Sequence, residues 1–345
     1  MNNKKVLVGM SGGVDSSMTA YMLQKDGYEV TGCYMKLHNS RVGYHEKNIE
    51  AGKRVADFLG IEYHVLDLED DFKNEVYNYF VDEYKKGRTP NPCVKCNRSI
   101  KFGGMFDFAK SLGIDYLATG HYAKTDGEFI YEADDKTKDQ SYFLAQVKKD
   151  VLKHLIFPMS IYKKEDIIKQ ASQIPAIKKI SENKESQEIC FVETVYTDVL
   201  KKHNKIDQDG KVLDVNGNEV GKHKGYMHYT IGKRKGFTVD GAHEPHYVKS
   251  LNPKTNTIVV GKKEDLAITN VKLNDLNLYV DGDSFECTIK LRYRTTKIPC
   301  SVTIENGIAN VELKEPVYGV ASGQVAVFYE DEKVLGSGWI TQTVE

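Results

Sequence analysis

A chain of 345 residues, 40% of them hydrophobic, has room for two or three domains and a sizeable core. Lys and Arg total 48 against 49 Asp and Glu, so bulk charge gives no reason to expect nucleic acid, membrane or acidic partners, and any such partner must be met by local charge. The N-terminal apolar run is too short for a signal-peptide core and no later run approaches a membrane span, which predicts a cytoplasmic protein with no membrane partner.

From residue 1 to about 200 the apolar runs KKVLVGM, EVTGCYM, IEYHVLDL and DYLATG alternate with stretches of helical spacing. That alternation predicts an α/β domain with a parallel sheet. The first helix carries Met18, Tyr21 and Met22 at one-turn spacing and stops at Gly27, and a later one carries Ala51, Val55, Phe58 and Leu59 before Gly60. After about residue 200, glycine-rich turns and strand-like alternation predict two smaller β-rich modules with a boundary near residue 268. In the last module CTIKLRY sets Cys287, Ile289, Leu291 and Tyr293 on one face and Lys290 and Arg292 on the other.

Between the first strand and the first helix stands GMSGGVDSS, Gly9 to Ser17. A strand-to-helix turn presents unpaired N–H groups at the positive end of the helix dipole, and glycines let an anion approach the backbone. The stretch lacks the lysine of a GxxxxGK loop. SGGVDS instead resembles the pyrophosphate loop of ATP-dependent adenylating enzymes, which grips the β and γ phosphates while an acceptor oxygen attacks the α phosphate. That resemblance makes Gly9, Met10, Ser11, Gly12, Gly13, Val14, Asp15 and Ser16 candidate ATP contacts.

The six cysteines, Cys33, Cys93, Cys96, Cys190, Cys287 and Cys300, are too few for a disulfide scaffold in a chain this long, so a special one is reactive or metal-bound. Cys93 and Cys96 follow two prolines in GRTPNPCVKCN, which reads as a rigid exposed loop, and Cys190 lies in SQEICFV. On spacing alone the CxxC is a redox pair, half of a zinc site, part of an iron–sulfur site, or incidental. Cys33, Cys287 and Cys300 read as buried small hydrophobes.

GMSGGVDSS, GRTPNPCVKCN followed by IKF, ATGHY, KDQSYFL, the ICF cysteine, TIGKRKG, LRYR, IPC and ASGQVAVFY occur in this order, and the ordered set resembles the tRNA-specific 2-thiouridylase (MnmA) family across essentially the whole chain. The resemblance implies a PP-loop ATPase domain of the adenine-nucleotide α-hydrolase-like type over 1–200, a central tRNA-binding module over 201–268 and a C-terminal β-barrel over 269–345. It implies ATP-dependent replacement of the 2-oxygen of a tRNA wobble uridine by sulfur, with ATP and Mg2+ as cofactors. Wobble-uridine tRNAs such as those for Lys, Glu and Gln are the implied partners. A cysteine desulfurase or sulfur-relay protein is the implied donor. By motif position Cys190 carries the persulfide. Cys96 is its partner thiol, either liberating sulfide or resolving the intermediate as a disulfide, work that suits two thiolates able to meet.

Many family members have aspartate where this chain has Cys93, and a thiol is a weaker acid, so that residue's acid/base role is open here. Cys93, Cys96 and Cys190 can instead hold three irons of a [4Fe–4S] cluster. The segment KLHNSRVGYHEK also departs from the longer acidic loop of relatives, and His38 and His45 within it read as exposed loop residues. Motif position adds Met35 and Gly120 as ATP neighbours at strand ends. It makes Asn91, Pro92, His121, Lys138, Asp139, Gln140, Lys233, Arg234, Arg292, Tyr293 and Gln324 candidate tRNA contacts. Gly221 to Val239 contains no acidic residue, and the Lys290, Arg292 and Arg294 strand face extends its basic track. Two other readings share the loop: a ligase adenylating a small-molecule carbonyl, and a non-catalytic sulfur carrier or RNA-binding protein.

Overall fold

The computed structural model describes residues 4–182, 189–241 and 243–344. The chain forms two compact units. One comprises residues 1–76, 93–191 and 332–335, the other 77–92, 192–331 and 336–345. Ser186, Gln187 and Glu188 of the SQEICFV stretch lie outside the described residues.

In the first unit the apolar runs form β1 (Lys5–Gly9), β2 (Glu29–Lys36), β3 (Glu62–Asp67) and β4 (Tyr116–Ala118). Two short strands, β5 (Ala123–Thr125) and β6 (Ile130–Glu132), form a hairpin, and β7 (Leu155–Ile156) completes a parallel sheet of order β3-β2-β1-β4-β7. The chain order reverses direction between β1 and β4, which opens a crevice at their carboxyl ends. Val6, Leu7 and Val8 of β1 are fully buried. Burial on both faces explains why β1 reads as a continuous apolar run rather than an alternation. Helix α1 (Val14–Lys25) buries Met18, Ala20 and Leu23 against the core that includes Val6, Val8 and Val30, with Tyr21 and Met22 at its margin. It ends before Gly27 at φ +85°, a conformation that favours glycine. Helix α2 (Tyr44–Leu59) packs Val55 and Ala56 inward, while Phe58, expected on the apolar stripe, is half exposed.

The second unit contains a four-stranded sheet, β8 (Gly210–Leu213), β9 (Glu219–His223), β10 (Tyr247–Asn252) and β11 (Thr257–Gly261), in the order β10-β11-β8-β9. Its small core gathers Val212, Tyr229, Val248, Ile258 and Val260. The strands β12 (Ala267–Leu278), β13 (Ser284–Lys290), β14 (Ile298–Glu305), β15 (Ile308–Tyr318), β16 (Val325–Glu330) and β17 (Lys333–Val344) follow in the order β12-β15-β14-β13-β16-β17. Pairing of β12 with β17 closes them into a barrel, which removes free sheet edges. Cys287 and Cys300 stand opposite one another on β13 and β14 with sulfurs 3.5 Å apart. Cys300 is buried as expected, but Cys287 is only half-buried.

The expected basic strand face is corrected here. β13 ends at Lys290, so Arg292 and Arg294 belong to the turn that follows. The histidines of the 36–47 segment are a second correction, because both are buried. Tyr34 Oη and His45 Nδ1 are 2.7 Å apart, His45 Nε2 bonds the His38 carbonyl, and the His38 ring stacks on Tyr44. Apolar and aromatic neighbours desolvate these rings, which polarity of the segment alone does not reveal.

Candidate active site

The turn after β1 is built so that its backbone stays open. Met10 N–H donates to the Cys33 carbonyl at 2.7 Å, which fixes the loop on the sheet. Gly12 sits at φ +79°, and a Cβ there would lie 2.8 Å from the Asn48 carbonyl oxygen. Gly13 caps α1 without any side-chain cap hydrogen bond. The hydroxyls of Ser16 and Ser17 donate to the Gly13 carbonyl, and that of Thr19 to the Asp15 carbonyl. Those groups satisfy acceptors, so first-turn donors remain for an anion at the positive end of the dipole.

Asp15 and Gly120 meet beside this turn. A Cβ on Gly120 would lie 2.8 Å from Asp15 C and Cβ and 2.9 Å from Ser16 N, so only glycine lets the end of β4 approach the first turn of α1 this closely. The Asp15 carboxylate receives Lys164 Nζ at 2.6 and 2.7 Å and the Tyr122 hydroxyl at 3.0 Å. Lys164 is buried at the start of helix Lys164–Ala171. It was not among the residues expected from sequence, because a lone lysine far from the loop belongs to no motif. Met35, at the carboxyl end of β2, is half-buried.

The CxxC is helical rather than a loop. Pro92–Cys96 forms a short helix that continues as the π-helix Asn97–Gly104. Two side chains tie the π-helix to the segment after β6. Asn97 Nδ2 donates to the Phe143 carbonyl at 2.9 Å, and Arg98 Nη1 to Gln146 Oε1 at 2.6 Å. Cys93 is exposed, Cys96 buried and Cys190 half-buried. The three sulfurs nonetheless share one electrostatic environment. Desolvation pushes the Cys96 thiol up to about 11 and that of Cys190 up to about 12, and it raises Cys93 as well. In each case the Lys101 ammonium pulls the other way, and Cys190 is raised further by proximity to Cys96 and Cys93. Cys93, Cys96 and Cys190 all fall within the first compact unit.

Among the described residues no three His, Cys, Asp or Glu side chains converge as a metal-holding group. The three-cysteine iron–sulfur set considered above is not seen as a metal site with the thiols as placed. His121 is buried, with Nδ1 2.7 Å from Thr119 Oγ1 and Nε2 3.4 Å from Lys101 Nζ. Burial, assisted by Lys101, holds its pKa well below the usual histidine value, so the ring is neutral. Asp139 is buried and accepts from Ala133 N, Ser141 N and Ser141 Oγ. Gln140 Oε1 accepts from Tyr122 N at 3.0 Å, while Lys138 is half-buried in the preceding turn. Both Asp139 and Gln140 thus organise the turn that starts helix Ser141–Leu144.

In the second unit Gln324 holds the segment that contains Thr89 and Pro90. Gln324 Nε2 donates to the Thr89 and Pro90 carbonyls at 2.9 and 3.2 Å, and Asn91 and Pro92 are buried. Arg292 Nη2 donates to the Ile231 carbonyl at 3.1 Å, and Tyr293 is half-buried beside it in sequence. Lys233 is half-buried and donates to the His228 carbonyl at 2.6 Å, whereas Lys222, Lys224, Arg234 and Lys235 are exposed. Arg292 therefore connects the barrel to the basic segment, and the exposed members of that segment supply its free charge.

A strand–glycine loop–helix turn at the switch point of a parallel sheet, followed by two β modules, defines a nucleotide-binding α/β protein of the PP-loop type. Family profiles described as tRNA methyl transferase HUP domain, tRNA methyl transferase PRC-barrel domain and Aminomethyltransferase beta-barrel domain match residues 4–194, 197–262 and 264–340. The chain is 66% identical over 344 residues to tRNA-specific 2-thiouridylase MnmA 1 of Aliarcobacter butzleri, covering 99% of this chain and 100% of that one. It is 58% identical to the tRNA-specific 2-thiouridylase MnmA of Sulfurimonas denitrificans over 98% and 99% of the two chains. The corresponding figure for the Campylobacter jejuni (strain RM1221) protein of that name is 56%, over 97% and 99%. The chain belongs to the tRNA-specific 2-thiouridylase (MnmA) family.

Proposed function

We infer that this protein is a tRNA-uridine 2-sulfurtransferase that uses ATP to convert a tRNA uridine to 2-thiouridine. One observation supports the reading above others: a single compact unit holds both the phosphate-type loop of Gly9–Ser17 and the thiols of Cys93, Cys96 and Cys190. Full-length identity to proteins named as thiouridylases favours it over the small-molecule ligase and non-catalytic readings.

In the proposed sequence, ATP enters as its Mg2+ complex, the metal belonging to the substrate. Gly9–Ser16, Met35 and Gly120 hold the nucleotide. The wobble uridine, splayed from the anticodon loop, attacks the α phosphate through O2, and pyrophosphate leaves. Cys190 carries a persulfide delivered by a desulfurase or relay protein. The Cys96 thiolate attacks Cys190 Sγ, the persulfide S–S bond breaks, and its electron pair leaves with the terminal sulfur as HS−. Two thiols are thereby oxidised to a Cys96–Cys190 disulfide as sulfane sulfur is reduced to sulfide. HS− adds at C2, AMP departs with the oxygen, and loss of a proton gives the 2-thiocarbonyl. An external dithiol resets the disulfide.

Residues 1–200 are proposed as the catalytic domain, 201–268 as the central tRNA-binding domain and 269–345 as the barrel domain. Asn91, Pro92, His121, Lys138, Asp139, Gln140, Lys233, Arg234, Arg292, Tyr293 and Gln324 are proposed to bind tRNA directly or by shaping the surfaces that do. tRNAs for Lys, Glu and Gln are the proposed substrates. The test is 2-thiouridine content in a tRNA transcript incubated with protein, ATP and a persulfide source, comparing wild type with Cys93→Asp. Product in both supports the reading and assigns Cys93 to the usual aspartate position. Product from the wild type alone gives the Cys93 thiol a role of its own, and product from neither overturns the reading.

A further inference from the structure

The sulfur transfer proposed above uses neither Cys287 nor Cys300, yet the barrel sets them face to face. In the antiparallel pair of β13 and β14, Ser284 stands opposite Thr303 and Ile289 opposite Ile298, a register that puts Cys287 directly across from Cys300. Their sulfurs are 3.5 Å apart. Directly opposed residues of an antiparallel pair have Cα atoms about 4.5 or about 5.5 Å apart, and both spacings lie within the range of about 4.4–6.8 Å that a disulfide spans. Side-chain rotation therefore suffices to bring the sulfurs to the bonded distance of about 2 Å, with the strands kept in place. The two thiols differ in access: Cys300 is fully buried and Cys287 half-buried. A small neutral oxidant meets Cys287 first and finds a second sulfur behind it. Contact with Cys300 and then burial raise the Cys287 pKa, so little thiolate is present at neutral pH and the pair responds to oxidant in excess rather than to traces.

We propose that Cys287 and Cys300 form a redox-modification site that takes hydrogen peroxide and closes to a disulfide, pinning β13 to β14 below the turn that carries Arg292. Cys287 Sγ attacks a peroxide oxygen, the O–O bond breaks and water leaves, giving the sulfenic acid. Cys300 Sγ then attacks Cys287 Sγ, the S–O bond breaks and a second water leaves. Two thiols and one peroxide thus give one disulfide and two waters, with two electrons passing from sulfur to oxygen. A dithiol reductant reverses the bond by exchange. Arg292 Nη2 donates to the Ile231 carbonyl at 3.1 Å, so the bond braces the hairpin from which that contact springs.

The test treats the full-length protein with excess hydrogen peroxide, alkylates the remaining thiols and digests with trypsin in the absence of reductant. Trypsin cuts after Lys290, Arg292, Arg294 and Lys297, all between the two cysteines. The bond therefore shows in the mass spectrum as two peptides held together, two hydrogens lighter than their sum and separated by dithiothreitol. The oxidised protein should melt roughly 5 °C or more above the reduced one. In Cys287→Ser and Cys300→Ser the linked peptides and the gain in melting temperature should both disappear, and Cys300→Ala replaces the buried serine if that variant does not fold. Recovery of Cys287 as free thiol, or as sulfinic acid with Cys300 alkylated, overturns the proposal. So does a linked pair whose melting temperature gains nothing over the serine variants. Neither readout depends on thiolation of tRNA, so failure here leaves the proposed function standing.

Discussion

Replacing Gly120 by alanine tests how the nucleotide loop is held. The added Cβ would lie 2.8 Å from Asp15 C and Cβ and 2.9 Å from Ser16 N. Backbone atoms on a buried helix turn cannot swing aside as a flexible side chain does. Restoring about 3.4 Å requires a displacement of about 0.6 Å, either of the β4 end or of the first turn of α1. Gly120 is not at positive φ, so the effect isolates the clash from backbone strain. Overpacking of this kind costs about 1–3 kcal/mol. At the proposed nucleotide site, a shift of that size in the first-turn donors should lower tRNA-dependent pyrophosphate release by roughly 10- to 100-fold. ATP affinity by calorimetry and pyrophosphate release by stopped flow read the loop, thermal melting reads stability, and tRNA affinity serves as the control. Wild-type ATP affinity and release rate in Gly120→Ala would refute the close approach of β4 to α1 as a constraint on the site.

Lys164→Met removes the cation paired with Asp15 and should cost about 1–3 kcal/mol of stability, with weaker ATP binding; an unchanged melt and affinity would deny the pair a role. Cys190→Ser should abolish 2-thiouridine formation while leaving pyrophosphate release intact, and retained thiolation removes Cys190 from the mechanism. Replacing Lys233 and Arg234 together should weaken tRNA affinity and flatten its salt dependence, most of the effect coming from exposed Arg234, and an unchanged salt slope counts against that segment. Burial, then the nearby charges of His45 and Arg41, lowers the His38 pKa to about 4, against about 6.5 when unfolded. Between those values the unfolded chain binds the extra proton, so stability is full above about pH 6.5 and falls as pH drops toward 4, by up to about 3 kcal/mol. Melting against pH should show that slope in the wild type and a flatter one in His38→Asn, and equal slopes would exclude His38 as its source.

The parallel sheet was legible because β1 to β4 are long apolar runs bounded by glycine or helix, whereas the two residues of β7 carry no period to detect. The strand-to-helix glycine turn of Gly9–Ser17 was legible for the same local reason: its signal lies in consecutive residues. Lys164 was not, since it pairs with an Asp15 carboxylate brought near only by tertiary folding. The π-helix after Cys96 escaped notice because two prolines and a CxxC resemble a turn, and nothing local announces i to i+5 bonding. His38 and His45 look like loop polarity until Tyr34, Tyr44 and Phe72 are folded around them. Arg292 illustrates the reverse case, where the alternation of CTIKLRY continues past the end of β13 into a turn.

The most direct test of the central claim is the stoichiometry of one turnover. Persulfide-loaded enzyme, ATP and a wobble-uridine tRNA transcript should yield AMP and 2-thiouridine in a one-to-one ratio, with the thiouridine at the wobble position by nuclease digestion and mass spectrometry. AMP release should require both the tRNA and the persulfide. AMP formed at the same rate without tRNA, or with tRNA that gains no sulfur, would contradict the coupling of the α1 loop to the cysteines and return the chain to a small-molecule ligase.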